Sequence, residues 1–218
     1  MFTGIIEATG MIETAEQTEA NLRLGISSNQ MGMGDVGIGD SIAVNGVCLT
    51  VVEKRTDGFF ADVSQETLDC TTGLSKSAPV NLEKSLRFGD RVGGHLVSGH
   101  VDGVGTVTAL QDLDASWRLE IEAPADLARY IARKGSIAVN GVSLTVNRVE
   151  NSRFEVNLIP HTWAVTTLHE LKTGSRVNLE IDLFARYIER MLSAGSGLEL
   201  AGASSPAASA ATSASRSS

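Results

Sequence analysis

The amino-acid sequence predicts an all-β protein built from two tandem antiparallel barrels and one C-terminal α-helix. Three observations support this prediction. The chain contains an internal repeat, its β-rich runs are short and separated by turns, and a stripe of apolar residues at helical spacing follows the second copy. A repeat that stays in register means two copies of one fold. If that fold binds a small molecule, the protein offers two related pockets.

The repeat is clearest in one twelve-residue segment. Residues 41–52, SIAVNGVCLTVV, return as residues 136–147, SIAVNGVSLTVN, with ten of twelve positions identical at an offset of 95. Shorter matches extend the repeat in both directions. They pair Thr3-Gly4 with Ser98-Gly99, Arg23-Leu24 with Arg118-Leu119, Thr67 with Thr162 and, shifted by two, residues 80–83 with 177–180.

The strands are predicted from alternating β-branched runs. Asn45-Gly46 and Asn140-Gly141 each separate two such runs, which is the strongest short-range signal for a β-hairpin. Short, evenly spaced strands fit a small closed antiparallel barrel better than a parallel sheet with crossover helices. Besides the two hairpins, the predicted strands are residues 5–14, 21–27, 58–64, 80–84, 101–110, 116–122, 153–159 and 177–181.

Two helices are predicted. One runs from Pro124 to Lys134, with a proline near its start and Gly135 just past its end. The other begins near Leu183 and carries an amphipathic stripe. It either folds back on its own barrel or forms an assembly interface, because a helix that follows two complete units needs a surface to cover. The stripe consists of Phe184, Tyr187, Ile188, Met191 and Leu192.

Composition excludes several classes of partner. The net charge is −8 and no block of Lys or Arg occurs, which argues against binding to nucleic acid or to an anionic membrane. Two cysteines are too few for a disulfide framework. The chain begins without the features of a signal peptide, and no apolar run approaches the ~20 residues that span a bilayer. We therefore expect a soluble, cytoplasmic protein.

Positions that differ between the copies are the best candidates for function. Either drift produced the differences, or two similar pockets acquired unequal chemistry. For Cys48 the other interpretation is simple packing, and for Thr50 and Thr145 it is β-propensity. Thr67 and Thr162 follow predicted strands and are candidate helix caps. The unequal pairs are Cys48 and Ser143, Asp62 and Asn157, Gln65-Glu66 and Pro160-His161, His100 and Ile5, and Lys134 and Gly39.

General motifs are absent from the sequence. It contains no phosphate loop, dinucleotide fingerprint or nucleophile elbow. His95 and His100 are five residues apart without a third ligand nearby, which is a weak metal signal. We therefore expect a protein that needs no metal or other cofactor.

Four segments together identify a family. Residues 1–6 (MFTGII), 45–51 (NGVCLTV), 94–100 (GHLVSGH) and 141–146 (GVSLTV) resemble riboflavin synthase of the alpha-chain type, and the resemblance extends from residue 1 to about residue 195. It implies two six-stranded Greek-key barrels and a homotrimer. The domains would be an N-terminal lumazine-binding barrel (1–95), a C-terminal one (96–182), a trimerisation helix (183–200) and a disordered Ala/Ser-rich tail (201–218).

The resemblance also implies a reaction. Two molecules of 6,7-dimethyl-8-ribityllumazine exchange a four-carbon unit, without a cofactor, to give riboflavin and 5-amino-6-(ribitylamino)uracil in the last step of riboflavin biosynthesis. Each site would lie between the N-terminal barrel of one subunit and the C-terminal barrel of a neighbour. An association with lumazine synthase stays open.

Two rival functions are weighed against this enzyme. A non-catalytic lumazine- or flavin-binding protein should have one degraded repeat, whereas both Leu-Thr-Val segments are intact here. A flavin-using reductase would need a nicotinamide-binding domain, which the sequence lacks.

The family's binding positions are carried over from the resemblance. For the N-terminal pocket they are Gly4, Ile5, Ile6, Cys48, Leu49, Thr50, Asp62, Val63, Ser64, Gln65, Glu66 and Thr67. For the C-terminal pocket they are Gly99, His100, Val101, Lys134, Ser143, Leu144, Thr145, Leu158, Ile159, Pro160, His161, Thr162 and Trp163.

Five of the residues are candidates for catalysis. The C7 methyl of the lumazine is acidic because its carbanion delocalises into the ring, so a modest base is sufficient. His100, or a water that it orients, is the first candidate for proton transfer. The candidates for polarising the second ring or positioning an adding nucleophile are Ser41, Cys48, Ser143 and Asp182.

Overall fold

The computed structural model describes residues 1–18, 21–28 and 30–195. Within this part of the chain, twelve strands form two closed six-stranded antiparallel barrels, and a helix follows the second. The predicted fold class is confirmed. The predicted Ala/Ser-rich tail, residues 201–218, lies outside the described residues.

The first barrel closes in the order β1-β2-β5-β4-β3-β6, with β6 paired to both β1 and β3. Asn45 and Gly46, both at positive φ, form the tight turn between β3 and β4, as the Asn-Gly signal predicts. A short helix, α1 (Gln65–Cys70), follows β5. The strands are β1 (Ala8–Gln17), β2 (Asn21–Ser27), β3 (Ser41–Val44), β4 (Val47–Lys54), β5 (Gly58–Ser64) and β6 (Pro79–Lys84).

The second barrel repeats this order as β7-β8-β11-β10-β9-β12. A short helix, α2 (Pro160–Val165), follows β11 in the place that α1 occupies in the first copy, and a 3-10 helix (Thr167–Glu170) follows α2. The strands are β7 (Gly103–Asp112), β8 (Trp117–Glu122), β9 (Ser136–Val139), β10 (Val142–Glu150), β11 (Arg153–Leu158) and β12 (Arg176–Ile181).

The prediction of a helix from Pro124 to Lys134 is wrong. The segment contains only one 3-10 turn, Ala128–Tyr130. Lys134 adopts a left-handed conformation with φ of 68°, and its backbone N–H donates to the carbonyl of Val146 on β10. The backbone therefore pairs with the barrel instead of completing helical turns.

Each barrel has its own apolar core because side chains alternate along the strands. On β4, Val47, Leu49 and Val51 point inward and are buried, while Cys48 and Thr50 point outward. A smaller cluster of Phe2, Ala43, Val97 and Ala138 lies apart from both cores. It brings residues of the two barrels together.

Buried asparagines join the two barrels in a nearly symmetric way. Nδ2 of Asn81, on β6, donates to the carbonyl of Asn140 at 3.0 Å, and Nδ2 of Asn178, on β12, donates to the carbonyl of Asn45 at 3.0 Å. Both side chains are 1% exposed. Because a buried amide without a hydrogen-bond partner is costly, these bonds make the relative position of the barrels specific.

The last helix, α3 (Leu183–Gly195), does not cover its apolar stripe with its own barrel. Phe184, Tyr187, Ile188 and Met191 are between 52% and 66% exposed. The other face of α3 does contact its own barrel unit, through the ion pairs of Arg186 with Asp102 and of Glu189 with Arg129, so only the apolar stripe is left uncovered. Among the described residues, no helix has the length and apolar character required to cross a membrane.

Candidate active site

Two segments cross from one barrel to the other. Phe2 and Val97 form an antiparallel bridge, in which each N–H donates to the carbonyl of the other residue. Beyond this bridge, residues 2–6 run against the second barrel and residues 97–101 run against the first. We call these the first and second crossing segments.

The second crossing segment lies directly on β4. The N–H of Cys48 donates to the carbonyl of Gly99 at 2.8 Å, and Gly99 has a φ of 82°. A Cβ atom added to Gly99 would lie 2.6 Å from Cβ of Cys48, so only glycine fits here. The first crossing segment repeats this geometry, because the N–H of Ser143 donates to the carbonyl of Gly4 at 2.8 Å.

A buried carboxyl group holds each crossing segment. Oε1 of Glu180 accepts from the N–H and the hydroxyl of Ser98, at 2.6 and 2.7 Å, and Oε2 accepts from the N–H of Gly99 at 2.9 Å. Glu83 makes the equivalent three bonds with Thr3 and Gly4. Burial raises the pKa of both glutamates, against the opposing effect of their hydrogen bonds.

The first site is a cleft of about 230 Å³ between β4, α1 and the second crossing segment. Ser64 caps α1 by accepting a hydrogen bond from the N–H of Thr67 at 3.2 Å, which places Glu66 and Thr67 on the cleft wall. The wall combines an imidazole, a carboxyl group, two thiols and two hydroxyls. It consists of Val47, Cys48, Glu66, Thr67, Cys70, Thr71, Gly99, His100 and Val101.

The second site is the equivalent position on the second barrel, where Gly4 contacts Ser143 and where Ile6 and Trp163 of α2 pack against the same core. Its chemistry differs. Ser143 replaces Cys48, and its Oγ lies 2.6 Å from Nδ1 of His95. Trp163 of α2 stacks on Trp117 with ring centroids 4.3 Å apart, where the first copy has Leu68 and Leu22. The repeat therefore supplies two equivalent positions with unequal side chains.

Comparisons with known proteins agree with this geometry. The lumazine-binding domain model matches the chain twice, over residues 3–85 and 98–182. Riboflavin synthase of Photobacterium phosphoreum is 43% identical over 194 residues, covering 88% of this chain and 89% of that protein. Riboflavin synthase of Mycobacterium bovis is 47% identical over 198 residues, covering 88% and 98%. The chain belongs to the riboflavin synthase family.

Solved structures of the same fold contain ligands of the expected kind. LumP complexed with 6,7-dimethyl-8-(1'-D-ribityl) lumazine has a TM-score of 0.74 and 29% identity to this chain. LumP complexed with riboflavin has a TM-score of 0.76 and 30% identity. Each comparison covers 83% of this chain and 99% of the LumP chain. The family identified from the sequence is confirmed.

The structure corrects the grouping of the family's binding positions by pocket. The sequence analysis placed residues 4–6 in the N-terminal pocket and residues 99–101 in the C-terminal one. Instead, Gly4 contacts Ser143 and Ile6 packs against the second core, while Gly99 contacts Cys48 and Val101 packs against the first core. The reason is the crossing of the two segments, which exchanges them between the barrels.

Several of the family's positions have side chains that point away from the sites. Asp62 lies on the outer face of β5, where it forms an ion pair with Arg23 at 2.8 Å. The hydrogen bond from Arg23 lowers the pKa of Asp62. Four further side chains are buried in the barrel cores and leave only their backbone for a ligand. They are Leu49, Val63, Leu144 and Leu158.

Three of the catalytic candidates lie outside the first cleft: Ser143, which is in the second site, and Ser41 and Asp182. Ser41 lines a separate cleft of about 120 Å³ together with Asp35 and Lys84, and it pairs with Thr50 across the hairpin. Asp182 directly follows β12, and its side chain accepts a hydrogen bond from the N–H of Phe184 at 3.0 Å. Only Cys48 and His100 among the catalytic candidates line the first cleft.

Sequence analysis missed parts of the first site. Cys70 and Thr71 line the cleft, but the six-residue helix before Thr71 is too short for a helical pattern to identify. Thr67 and Thr162 are not helix caps: Ser64 caps α1, and Ile159 precedes α2 without a side-chain cap. In the described ranges, no group of three His, Cys, Asp or Glu residues could hold a metal ion.

Proposed function

We propose that this protein is a riboflavin synthase. Two molecules of 6,7-dimethyl-8-ribityllumazine exchange a four-carbon unit to form riboflavin and 5-amino-6-(ribitylamino)uracil, the last step of riboflavin biosynthesis, without a cofactor. The observation that carries the proposal is the pair of equivalent sites with unequal side chains. A reaction between two copies of one substrate needs two similar sites, one for the donor and one for the acceptor.

Rate enhancement would come mainly from holding both molecules in register. Ordering two reactants in this way can supply about 7–11 kcal/mol of the barrier. The first cleft, at about 230 Å³, is smaller than the roughly 300–1000 Å³ of most ligand pockets. A single cleft would therefore cover only part of a lumazine, and a facing surface must complete the site.

The facing surface is proposed to be the second site of a neighbouring subunit in a homotrimer. The exposed stripe on α3, with Phe184, Tyr187 and Ile188 more than half exposed, supports an assembly of this kind. The protein would act in the cytoplasm. Association of the trimer with lumazine synthase is a further expectation from the family resemblance.

His100 is proposed to transfer the proton of the C7 methyl, directly or through a water molecule. Its side chain is exposed, and its N–H donates to the hydroxyl of Ser98 at 3.3 Å, beside the bonds that Glu180 makes. Cys48 and Glu66 lie on the same cleft wall. Ser41, Ser143 and Asp182 remain candidates for polarising or adding to the second ring.

One assay tests the proposal. Purified protein is mixed with the lumazine, and the absorption band of riboflavin is followed. We expect the band to appear, and His100→Ala to lower its rate by about 10²-fold or more. A lumazine that binds but never forms riboflavin would support the non-catalytic binding protein instead. An unchanged rate in His100→Ala would remove His100 from the mechanism.

A further inference from the structure

We propose that His95 is a positioning residue of the second site, which donates a hydrogen bond to Ser143 and thereby directs the Ser143 hydroxyl hydrogen toward a heteroatom of the bound lumazine ring. This inference rests on the proposed function and assigns a role to a residue outside its binding set. The ligand chemistry is a ring carbonyl or ring nitrogen that accepts a hydrogen bond.

Both the backbone and the ring of His95 are held in position by polar contacts. The N–H of His95 donates to the carbonyl of Thr3 at 3.1 Å, beside the bridge between the two crossing segments. Nδ1 of its ring lies 2.6 Å from Oγ of Ser143. A Cβ atom on Gly94 would lie 2.8 Å from the same Oγ, so the backbone approaches Ser143 very closely. The position of the imidazole is therefore well defined.

The other ring nitrogen decides the direction of the hydrogen bond. Nε2 of His95 is buried and has no hydrogen-bond partner among the described residues. Buried N–H groups without an acceptor are rarer in proteins than buried acceptors without a donor. The favoured tautomer therefore carries its hydrogen on Nδ1, where the Ser143 oxygen accepts it, and leaves Nε2 as the unpaired acceptor.

The charge state agrees with this tautomer. Burial lowers the pKa of His95, while the negative charge of Asp182 opposes that effect. The ring is therefore neutral at neutral pH and donates through one nitrogen only.

The consequence concerns the Ser143 hydroxyl. Because its oxygen already accepts from His95, its own hydrogen is free for another acceptor, and a donor chain of this kind strengthens each bond. Ser143 then stabilises negative charge that develops on a ring held in the second site. The first site has Cys48 at this position, a much weaker donor, so the two rings would be polarised unequally.

Two measurements test the inference in the full-length protein. In a spectrum of ¹⁵N-histidine-labelled protein, we expect Nδ1 of His95 to be protonated and Nε2 to be unprotonated, with assignment by loss of the signals in His95→Asn. The opposite tautomer would overturn the proposal. Wild-type protein that forms riboflavin while showing that tautomer would leave the proposed function intact.

The second measurement is kcat/KM for lumazine turnover in a mutant cycle. His95→Leu removes the donor, whereas His95→Asn retains an amide N–H near the position of Nδ1. We expect about a tenfold loss in His95→Leu and in Ser143→Ala, no further loss in the double variant, and a value within about threefold of wild type in His95→Asn. Additive losses, or equal losses in His95→Asn and His95→Leu, would show a merely structural role.

Discussion

At the scale of single residues, the two sites differ in side chains at positions where the two copies of the repeat have different residues. The thiol of Cys48 stands where the second site has the hydroxyl of Ser143, and Glu66 stands where it has His161. These differences were visible in the sequence because the offset of 95 aligns the copies. The hydrogen bond between His95 and Ser143 could not be predicted from the sequence, because the two residues are 48 positions apart. They come together only because both contact the first crossing segment.

Lys134 shows a functional signal in its backbone. It has a φ of 68° and is exposed, and its counterpart in the first copy is Gly39 with a φ of 94°. A side chain in this conformation costs about 1 kcal/mol, and such strain is often retained where the side chain has a function. The strain supports the family's assignment of Lys134 to substrate binding.

Substitution of Lys134 separates the cost of its backbone strain from the contribution of its amine to substrate binding. We expect Lys134→Gly to raise the free energy of unfolding by about 1 kcal/mol, because it relieves the strain, and to raise KM for the lumazine. Lys134→Ala is the matched control, since it removes the amine but keeps the Cβ atom. It should raise KM equally without adding stability. Denaturant unfolding and steady-state kinetics provide both values, and unchanged KM in both variants would contradict the binding role.

At the scale of secondary-structure elements, the crossing segments explain why two predicted strands begin too early. Strands were predicted from residues 5 and 101, whereas β1 begins at Ala8 and β7 at Gly103. Glu7 and Asp102 still bond to their own barrels, but Gly4 and Ile6, and likewise Gly99 and Val101, contact the other one. An internal repeat shows that residues 4–6 and 99–101 are equivalent, but it cannot show which barrel each contacts, since both arrangements have the same sequence pattern.

The glutamates that hold the crossing segments predict a pH dependence of stability. Because burial raises the pKa of Glu83 and Glu180 in the folded protein, the folded state binds more protons than the unfolded state above the ordinary value of 4.5. Their contribution to stability is complete below that value and declines as pH rises through the raised pKa.

Glu180→Gln tests whether the carboxyl group of Glu180 makes the free energy of unfolding decline as pH rises. The free energy of unfolding, measured with denaturant at a series of pH values above 4.5, should fall less steeply with pH in the variant than in the wild type. Asp62 does not affect this measurement, because its pKa is lowered and its contribution to stability therefore changes only at more acidic pH. A steeper fall in the variant would mean that the carboxyl group of Glu180 has a lowered pKa in the folded protein.

At the scale of the whole molecule, repeat, hairpins and apolar alternation were sufficient to predict two barrels and a helix. The assembly could not be predicted in the same way. The stripe on α3 shows that an apolar surface is exposed, but it does not show which surface covers it. Two glutamate variants test whether the stripe is the interface of the proposed trimer or an exposed face without a partner. Tyr187→Glu places a charge within the stripe, and Arg190→Glu places one outside it.

We expect Tyr187→Glu to dissociate the proposed trimer and abolish riboflavin formation while both barrels stay folded, because each complete site is proposed to lie between two subunits. Arg190→Glu should leave the sedimentation coefficient unchanged. Sedimentation velocity and circular dichroism measure these effects. A Tyr187→Glu protein that sediments like the wild type would place the interface elsewhere.

The central claim is that the two barrels of each chain hold one lumazine each. The most direct test is a crystal structure with a lumazine analogue that cannot react. We predict density for one ring beside Cys48 and Gly99 on the first barrel and for another beside Ser143 and Gly4 on the second. Density on one barrel only, with side chains filling the equivalent position on the other, would contradict the claim.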